Sequence, residues 1–448
     1  MRITLATAVM LLASGAASAQ LPDQLTLEGA VSIARANNPA HRKAANDQDV
    51  AAAEVRQSYG AFLPTVGASM SFNGSSSQTS SGQGDFGEVV DGEVRTIESS
   101  SGSHGVSASM TLFDGGAMFR DLSAARARED VAHATLRASL NRLDAEVRRA
   151  YFQAQRAEQT IVLEDRLLSS ARDRLARTEE LFRIAAASQV DVLGARVDVA
   201  SQEQSLARAR DEARKLRLAL LQTMGLPPRD ADGFTLSAAE PQAFDPAMLD
   251  ADALVALALE GNPAVVQSQA AAIAADRRAS AARGVRWPSI DATFGYNRSV
   301  REPGMFDAFG QLDAQDRGFR FGLSASLPLF SNFRAAASIA QADAAREDAS
   351  EDERAARLQT ERDVRSAVID LENAFGQLRL AEQKAELSAQ RLELATEQYR
   401  LGALTFLNLQ RVIDETANAE RQALEARYGF MMARVTLEER LGAPLPQP

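Results

Sequence analysis

The chain has 448 residues, room for two or three domains, and its 45% hydrophobic content is mostly Ala and Leu with a single Trp. A formal charge of −11 argues against nucleic acid as a partner. Cysteine is absent, which excludes disulfides, thiolate metal sites, a cysteine nucleophile and a lipid on an N-terminal Cys; three scattered histidines, His41, His104 and His133, leave little material for a His-based site.

Residues 1–19 read as a secretory leader: Arg2, an apolar run from Ala8 to Ala13, then Ala17-Ser18-Ala19 as the small-residue cleavage pattern. The mature chain is expected to start at Gln20, its charge moving from −11 to −12 with the loss of Arg2. No later run approaches the roughly 18 apolar residues of a membrane helix. Helices are predicted at Leu27–Asn37 and from about Pro39 to Ala61.

Four stretches then alternate with a period of two. Thr65–Asn73 places Val66, Ala68, Met70 and Phe72 on one face, and Gly105–Leu112 places Val106, Ala108, Met110 and Leu112. Ser289–Asn297 does so with Ile290, Ala292, Phe294 and Tyr296, and Phe319–Phe330 with Phe319, Phe321, Leu323, Ala325 and Leu327. The opposite faces carry Ser, Thr, Gly, Asn, Asp291 and Arg320, the pattern of a transmembrane β-barrel wall; taken alone it also fits an amphipathic strand of a soluble sheet. The intervening segments, Gly74–Gly105 and Arg298–Gly318, are predicted loops, the first half Gly or Ser and the second carrying Pro303, Phe306 and Phe309.

Between Ala117 and Leu193 there is neither Gly nor Pro. Leu140, Val147, Ala154, Ile161, Leu168, Leu175 and Phe182 recur at sevens, accompanied by Leu143, Ala150, Ala157 and Ala171. A second series, Val364, Leu371, Leu378, Ala385, Leu392 and Tyr399, is accompanied by Ala367, Ala374, Ala381 and Ala395. A sustained heptad predicts left-handed coiled coils, each a rod of roughly 100 Å. Short breaks are predicted at Ile184–Gln189 and Leu401–Thr405, followed by returning helices to Gly225 and Gly442.

The two halves are one unit written twice. Asn38-Pro39 and Leu63-Pro64 recur as Asn262-Pro263 and Trp287-Pro288, 224 positions later; Phe182 and Met224-Gly225 recur as Tyr399 and Leu441-Gly442, 217 positions later. The seven-residue difference falls inside the hairpins. The expected organisation is a leader at 1–19, a first repeat at 20–225 with a hairpin at about 64–113, a linker at 226–246, and a second repeat at 247–448 with a hairpin at about 288–330.

With this order of elements, Ser326-Leu327-Pro328-Leu329-Phe330 and Asp114-Gly115-Gly116 beside the strands, and the turn segments Phe182–Leu193 and Tyr399–Leu409, the chain resembles the TolC family of outer-membrane efflux and export channels. The resemblance implies a mixed α and β fold. Three chains with four strands each would close a 12-stranded transmembrane β-barrel, continued by a long α-helical coiled-coil tunnel in the periplasm. It implies a homotrimer in outer-membrane lipid, a passive duct of a tripartite efflux pump or type I secretion system. Its partners would be a periplasmic adaptor (membrane fusion) protein and an inner-membrane ABC or RND transporter, with no nucleic acid. The helix turns, through Ala185, Ser188, Gly402 and Thr405, would meet the adaptor, and Asp191, Asn408 and Arg411 would line the closed entrance. Asp191 matches an entrance carboxylate of the family, whereas Asn408 and Arg411 stand where acids are expected, and Ala185 replaces the usual Gly. The absent Cys favours the branch that also serves type I secretion. The alternative from the residues alone is a secreted or periplasmic coiled-coil scaffold or adhesion protein. No nucleophile elbow, phosphate loop or metal-ligand spacing is present, so neither an enzyme nor a cofactor is expected.

Overall fold

The structure, a computed structural model, describes residues 22–80, 94–185, 187–230, 233–237, 244–311 and 316–445. The leader expected at 1–19 lies outside them, as do 81–93 of the Gly/Ser-rich stretch and parts of the expected linker. Helices α1 (Leu27–Asn37) and α2 (Pro39–Gly60) precede strands β2 (Thr65–Ser80) and β3 (Val94–Asp114); α3 (Ala117–Arg183) and α4 (Gln189–Met224) follow. The second half runs α5 (Ala251–Gly261), α6 (Pro263–Ala282), β5 (Ser289–Pro303), β6 (Asp316–Ser326), α7 (Arg334–Arg400) and α8 (Phe406–Leu441). Both long helices have 67 residues and both returning helices 36. Two short strands, β1 (Gln24–Leu25) and β4 (Thr235–Leu236), pair in parallel. Among the described residues no helix is long and apolar enough to cross a membrane.

The chain divides into two compact units. One holds the sheet of order β2-β3-β5-β6, antiparallel throughout, with residues 46–135 and 264–356. Register gathers the four apolar faces into one. Val66, Ala108, Phe294 and Phe321 form a row across the four strands; Ala68, Val106, Tyr296 and Phe319 form the next, and Met110, Ala292 and Leu323 a third. This face is exposed, with Phe319, Phe321 and Val66 among its most open side chains. The other face joins small polar groups across strands, as in the Thr111 hydroxyl donating to Asp291 Oδ1 at 2.8 Å.

The strand ends depart from the sequence expectation. Gly74–Ser80 pairs with Val94–Ser100 and is strand, not loop, and β3 begins eleven residues before Gly105. Likewise β5 continues to Pro303 and β6 begins at Asp316, so the second loop is shorter than expected. The β2 and β3 extensions are Ser-rich, those of β5 and β6 carry Arg298, Arg301, Glu302, Asp316 and Arg317, and all are held by backbone ladder bonds rather than by an apolar pattern. Conversely β6 stops at Ser326, short of Phe330, because Pro328 has no N–H for the ladder.

The second unit holds residues 22–45, 136–263 and 357–445 of the described chain, and is helical apart from the β1–β4 pair. Heptad residues Val147, Ala154 and Leu168 of α3 and Val364, Leu371 and Leu378 of α7 are buried, together with Leu143, Ala157, Ala171 and Ala367. Fully burying a Leu or Val contributes about 1.5–3 kcal/mol. Tyr151, fully buried, sets its hydroxyl between the Leu25 carbonyl at 2.9 Å and the Ser237 carbonyl at 2.7 Å, tying the β1–β4 pair to α3. Burial pushes that phenol up to about 12.

The Asn-Pro punctuation has a geometric cause. Asn38 Oδ1 accepts from the Ala40 and His41 amides and caps α2, with Pro39 at its first position, while Asn38 Nδ2 donates to the Thr223 carbonyl at the end of α4. Asn262 Nδ2 does the same for the Arg440 carbonyl of α8. Each returning helix ends on a left-handed glycine, Gly225 (φ 75°) and Gly442 (φ 72°), pressed against those segments; a Cβ on Gly225 would lie 2.5 Å from the Asn37 carbonyl oxygen.

Candidate functional site

The helical turns fall where the sequence places them. In the first, α3 ends at Arg183, Ala185 takes a left-handed conformation (φ 58°), and Ser188 caps α4. Ser188 Oγ accepts from the Asp191 amide at 3.2 Å, and Asp191 Oδ2 accepts from the Ser188 amide at 2.9 Å and its hydroxyl at 2.8 Å. This is a capping box, with the acid also placed at the positive end of the helix. In the second turn Gly402 (φ 74°) supplies the left-handed residue, and Thr405 Oγ1 accepts from the Asn408 amide at 3.4 Å. An alanine at φ 58° carries a steric cost that Gly402 avoids.

The two turns are neighbours. A Cβ on Gly194 of α4 would lie 3.3 Å from the Phe406 ring of α8, and that ring sits 6.2 Å from Tyr399. Partial burial, and then the Asp191 charge, raise the Tyr399 phenol above its ordinary range. Arg411 is exposed, and among the described residues no ion pair joins it to Asp191 within the chain. Ile184, Val190, Leu193, Val197, Leu401 and Leu407 are exposed at the turns, Val190, Leu193 and Val197 along one face of α4.

Deeper in the bundle lies a charged cluster that reading the sequence missed. Arg174 of α3 approaches Asp198 of α4 at 3.6 Å, and Gln410 Nε2 of α8 donates to Asp198 Oδ2 at 2.6 Å and Asp414 Oδ1 at 3.4 Å. Burial lowers the Arg174 guanidinium against the pull of Asp198. Burial, and then the Asp198 charge, raise the Asp414 carboxyl above the usual carboxylate range. The one available signal was the seven-residue step from Asp191 to Asp198; the rest comes from helices distant in sequence. Beside the cluster is a cavity of about 220 Å³ lined by Arg174, Thr178, Leu181, Tyr399 and Ile413. Farther along, Arg421 donates to the buried Glu164 through Nε at 2.6 Å and Nη2 at 2.9 Å.

Because the folded value of Asp414 is raised, its ionised form lowers stability at neutral pH, and that deficit fades as pH falls through the raised value. Asp414→Asn is therefore expected to raise the melting midpoint at pH 7, the gain over wild type shrinking as pH approaches about 4. Circular dichroism melts across that range check it; a lowered midpoint at pH 7 would contradict the crowding of two carboxylates on one guanidinium.

The family model described as outer membrane efflux protein matches residues 30–226 and 254–443. Protein CyaE of Bordetella pertussis is 28% identical over 356 residues, covering 79% of this chain and 70% of its own length. Among solved structures, a membrane protein from Pseudomonas aeruginosa superposes with a TM-score of 0.76 at 20% identity, over 93% of this chain and 90% of its own. The CmeC outer membrane channel of Campylobacter jejuni gives 0.76 at 17% identity, over 93% and 85%. With both repeats matched by the family and the fold shared along most of the chain, the chain belongs to the outer membrane efflux protein family and is a TolC-like outer-membrane channel reaching into the periplasm.

Proposed function

We propose that three copies of this chain close one 12-stranded barrel and act as a passive exit duct, without catalysis of their own, for an inner-membrane ABC or RND transporter coupled through a periplasmic adaptor. The observation that carries this is the sheet: among the described residues β2 and β6 are each paired on one side only, while Val66, Met70, Val106, Phe294, Phe319, Phe321 and Leu323 of its apolar face stand exposed. In lipid every ladder group needs a partner, and four strands cannot enclose a pore, so chains must share the barrel. The equal lengths of α3 and α7, and of α4 and α8, support reading residues 20–225 and 247–448 as repeats that contribute alike to the tunnel. Its cargo is one of three classes: drugs, metal ions or a secreted polypeptide. Extracted from the outer-membrane fraction in mild detergent, the protein is expected to scatter light as a heat-sensitive trimer; a monomer would reject the shared barrel.

The turns carrying Ala185, Ser188, Gly402 and Thr405 are the surface offered to the adaptor, which the exposed apolar residues beside them support. Asp191, Asn408 and Arg411 line the entrance. An Asp191–Arg411 pair between chains would add charge-assisted hydrogen bonds holding the mouth shut, stronger where partly buried than the roughly 0–1 kcal/mol of exposed pairs. Asp191→Ala and Arg411→Ala are each expected to raise single-channel conductance, with the double variant adding little. Single variants that conduct like wild type would leave Asp191 as a capping residue only.

A further inference from the structure

The apolar face of the sheet runs on past Met70 to a row of Phe72, Gly102 and Val300, and there a piece of loop lies on it. Residues 304–311 fold back from the end of β5 across β3 toward β2. The Gly304 amide donates to the Glu98 carbonyl at 3.2 Å, and the buried Ala308 amide donates to Ser100 Oγ at 2.9 Å. Ala308 closes over Val300, both buried, and the Phe309 ring lies 5.2 Å from Phe72. Glycines make room where this strap crosses the strands: a Cβ on Gly74 would lie 2.2 Å from the Met305 carbonyl oxygen, and one on Gly102 3.2 Å from that of Ala308.

The strap turns apolar side chains away from the sheet. Phe306 and Phe309 are 71% and 72% exposed, and Met305 is exposed beside them. Asp307 is the one charged residue of 304–311, and its carboxylate is folded back over Gly304, where a Cβ would lie 2.3 Å from Oδ2. The two rings are held in place by backbone bonding, the Phe309 amide donating to the Phe306 carbonyl at 2.9 Å and Gln311 Nε2 to the Asp307 carbonyl at 2.7 Å. Fixed rings in the open mark a surface with an occupant.

Height along the wall decides which occupant. The exposed Trp287 stands at the foot of β5, whose outward positions then run Ile290, Ala292, Phe294, Tyr296, Arg298 and Val300. A strand rises about 3.4 Å per residue and barrel strands tilt by about 35–45°, so an apolar band about 25 Å tall takes about ten residues. Ten residues on from Ile290 is Val300, under the strap; a band ending at Tyr296 would be only about 16 Å tall. Arg298 then falls near the edge of the band, where an outward cation costs little. Such bands are flanked by aromatic girdles at both interfaces. Trp287 serves the lower one. From the Val300 row outward, the described strands bring one outward-facing ring, Phe72, and the strap adds Phe306 and Phe309. The strands run from helices α2 and α3 at one end to the hairpins at the other, so in a channel whose helices reach into the periplasm the strap is at the outer leaflet.

We infer that residues 304–311 are a lipid-docking strap: Met305, Phe306 and Phe309 lie against the headgroup-proximal part of the outer-leaflet acyl chains and furnish the outer girdle that the strands lack. The inference rests on the sheet being barrel wall with its apolar face toward lipid. Continuity with that face, at the height where the band ends, is why lipid rather than another protein chain is assigned.

The chain has no cysteine, so single reporters can be placed in the full-length protein. Phe306→Cys and Phe309→Cys, each labelled with the fluorophore NBD, are reconstituted as the purified oligomer in phosphatidylcholine vesicles. Quenching is read with lipid carrying a nitroxide at acyl carbon 5 or at carbon 12, and with aqueous iodide. Phe321→Cys, on the mid-band row with Phe294, reports the lipid-facing wall, and Thr293→Cys, opposite Gly322, reports the other face. Both strap labels are expected to be quenched more by the carbon-5 than by the carbon-12 nitroxide and to be shielded from iodide. The Phe321 label is expected to show the reverse order of nitroxides, and the Thr293 label to respond to iodide alone. Strap labels quenched by iodide and untouched by either nitroxide would overturn the inference, leaving the strap in water. Strap labels shielded from all three quenchers would also overturn it, placing the rings against protein. A Phe321 label that neither nitroxide reaches would overturn the lipid-facing wall itself, a failure distinct from that of the strap.

Discussion

Leu168→Pro is expected to abolish assembly and to bring the melting transition down by more than any surface substitution in the chain. Leu168 stands in a 67-residue helix without Gly or Pro, 4% exposed in the heptad seam. Proline there removes the Leu168 amide's bond to the Glu164 carbonyl and drives its ring into that carbonyl, costing about 3 kcal/mol or more before any packing is lost. The damage extends past the backbone, since the Glu164 side chain is clamped by Arg421 of α8, and a kink at this turn pulls the carboxylate from its partner. Light scattering and circular dichroism read both consequences. A variant that melts and assembles as wild type would refute the continuous coiled coil.

The second large effect is expected at that clamp. The Glu164 side chain is only 5% exposed and takes both its bonds from Arg421, whose guanidinium is raised above its ordinary range chiefly by them. Arg421→Ala leaves a carboxylate buried without its cation, a change that typically costs about 3–5 kcal/mol; the lower end applies here because Arg421 is one-third exposed. Glu164→Leu/Arg421→Leu, which removes both charges, is expected to recover most of the loss, because pairing in the interior roughly offsets desolvation. Denaturant melts of the three proteins decide it. A double variant as unstable as Arg421→Ala would show that packing of the Arg421 stem, rather than the stranded charge, carries the effect.

Helices, turns and strand faces were legible because each is written locally. The absence of Gly and Pro, the sevenfold spacing of Val147, Ala154 and Leu168, and the period of two in Val66–Phe72 need no knowledge of the rest of the chain. The strand ends were not, since Ser75–Ser80 alternates nothing and becomes strand only because Val94–Ser99 lies beside it. The β1–β4 pair joins Gln24 to Thr235, two residues each, and no local pattern announces it. At the site, Ser188-x-x-Asp191 spelled its own capping box, and the left-handed residue of each turn fell at Ala185 and Gly402. The cluster of Arg174, Asp198, Gln410 and Asp414 draws on three helices, and Gln410 looked like any polar residue on an exposed face. Likewise the meeting of Phe294 with Phe321 is a matter of register, which the sequence leaves open until strands choose partners.

The matched helix lengths restrict how such a channel can change in evolution. Length differences between the two halves accumulate in the hairpins, while α3 and α7 stay at 67 residues and α4 and α8 at 36. A residue inserted into one long helix turns everything beyond it by about 100° and takes the seam out of register. Seven inserted into one helix keep the seam but set one turn about 10 Å from its counterpart. A longer or shorter descendant therefore has to gain or lose whole heptads in the outgoing and returning helices of both halves together, so its length changes in steps, whereas the hairpins remain free to vary one residue at a time.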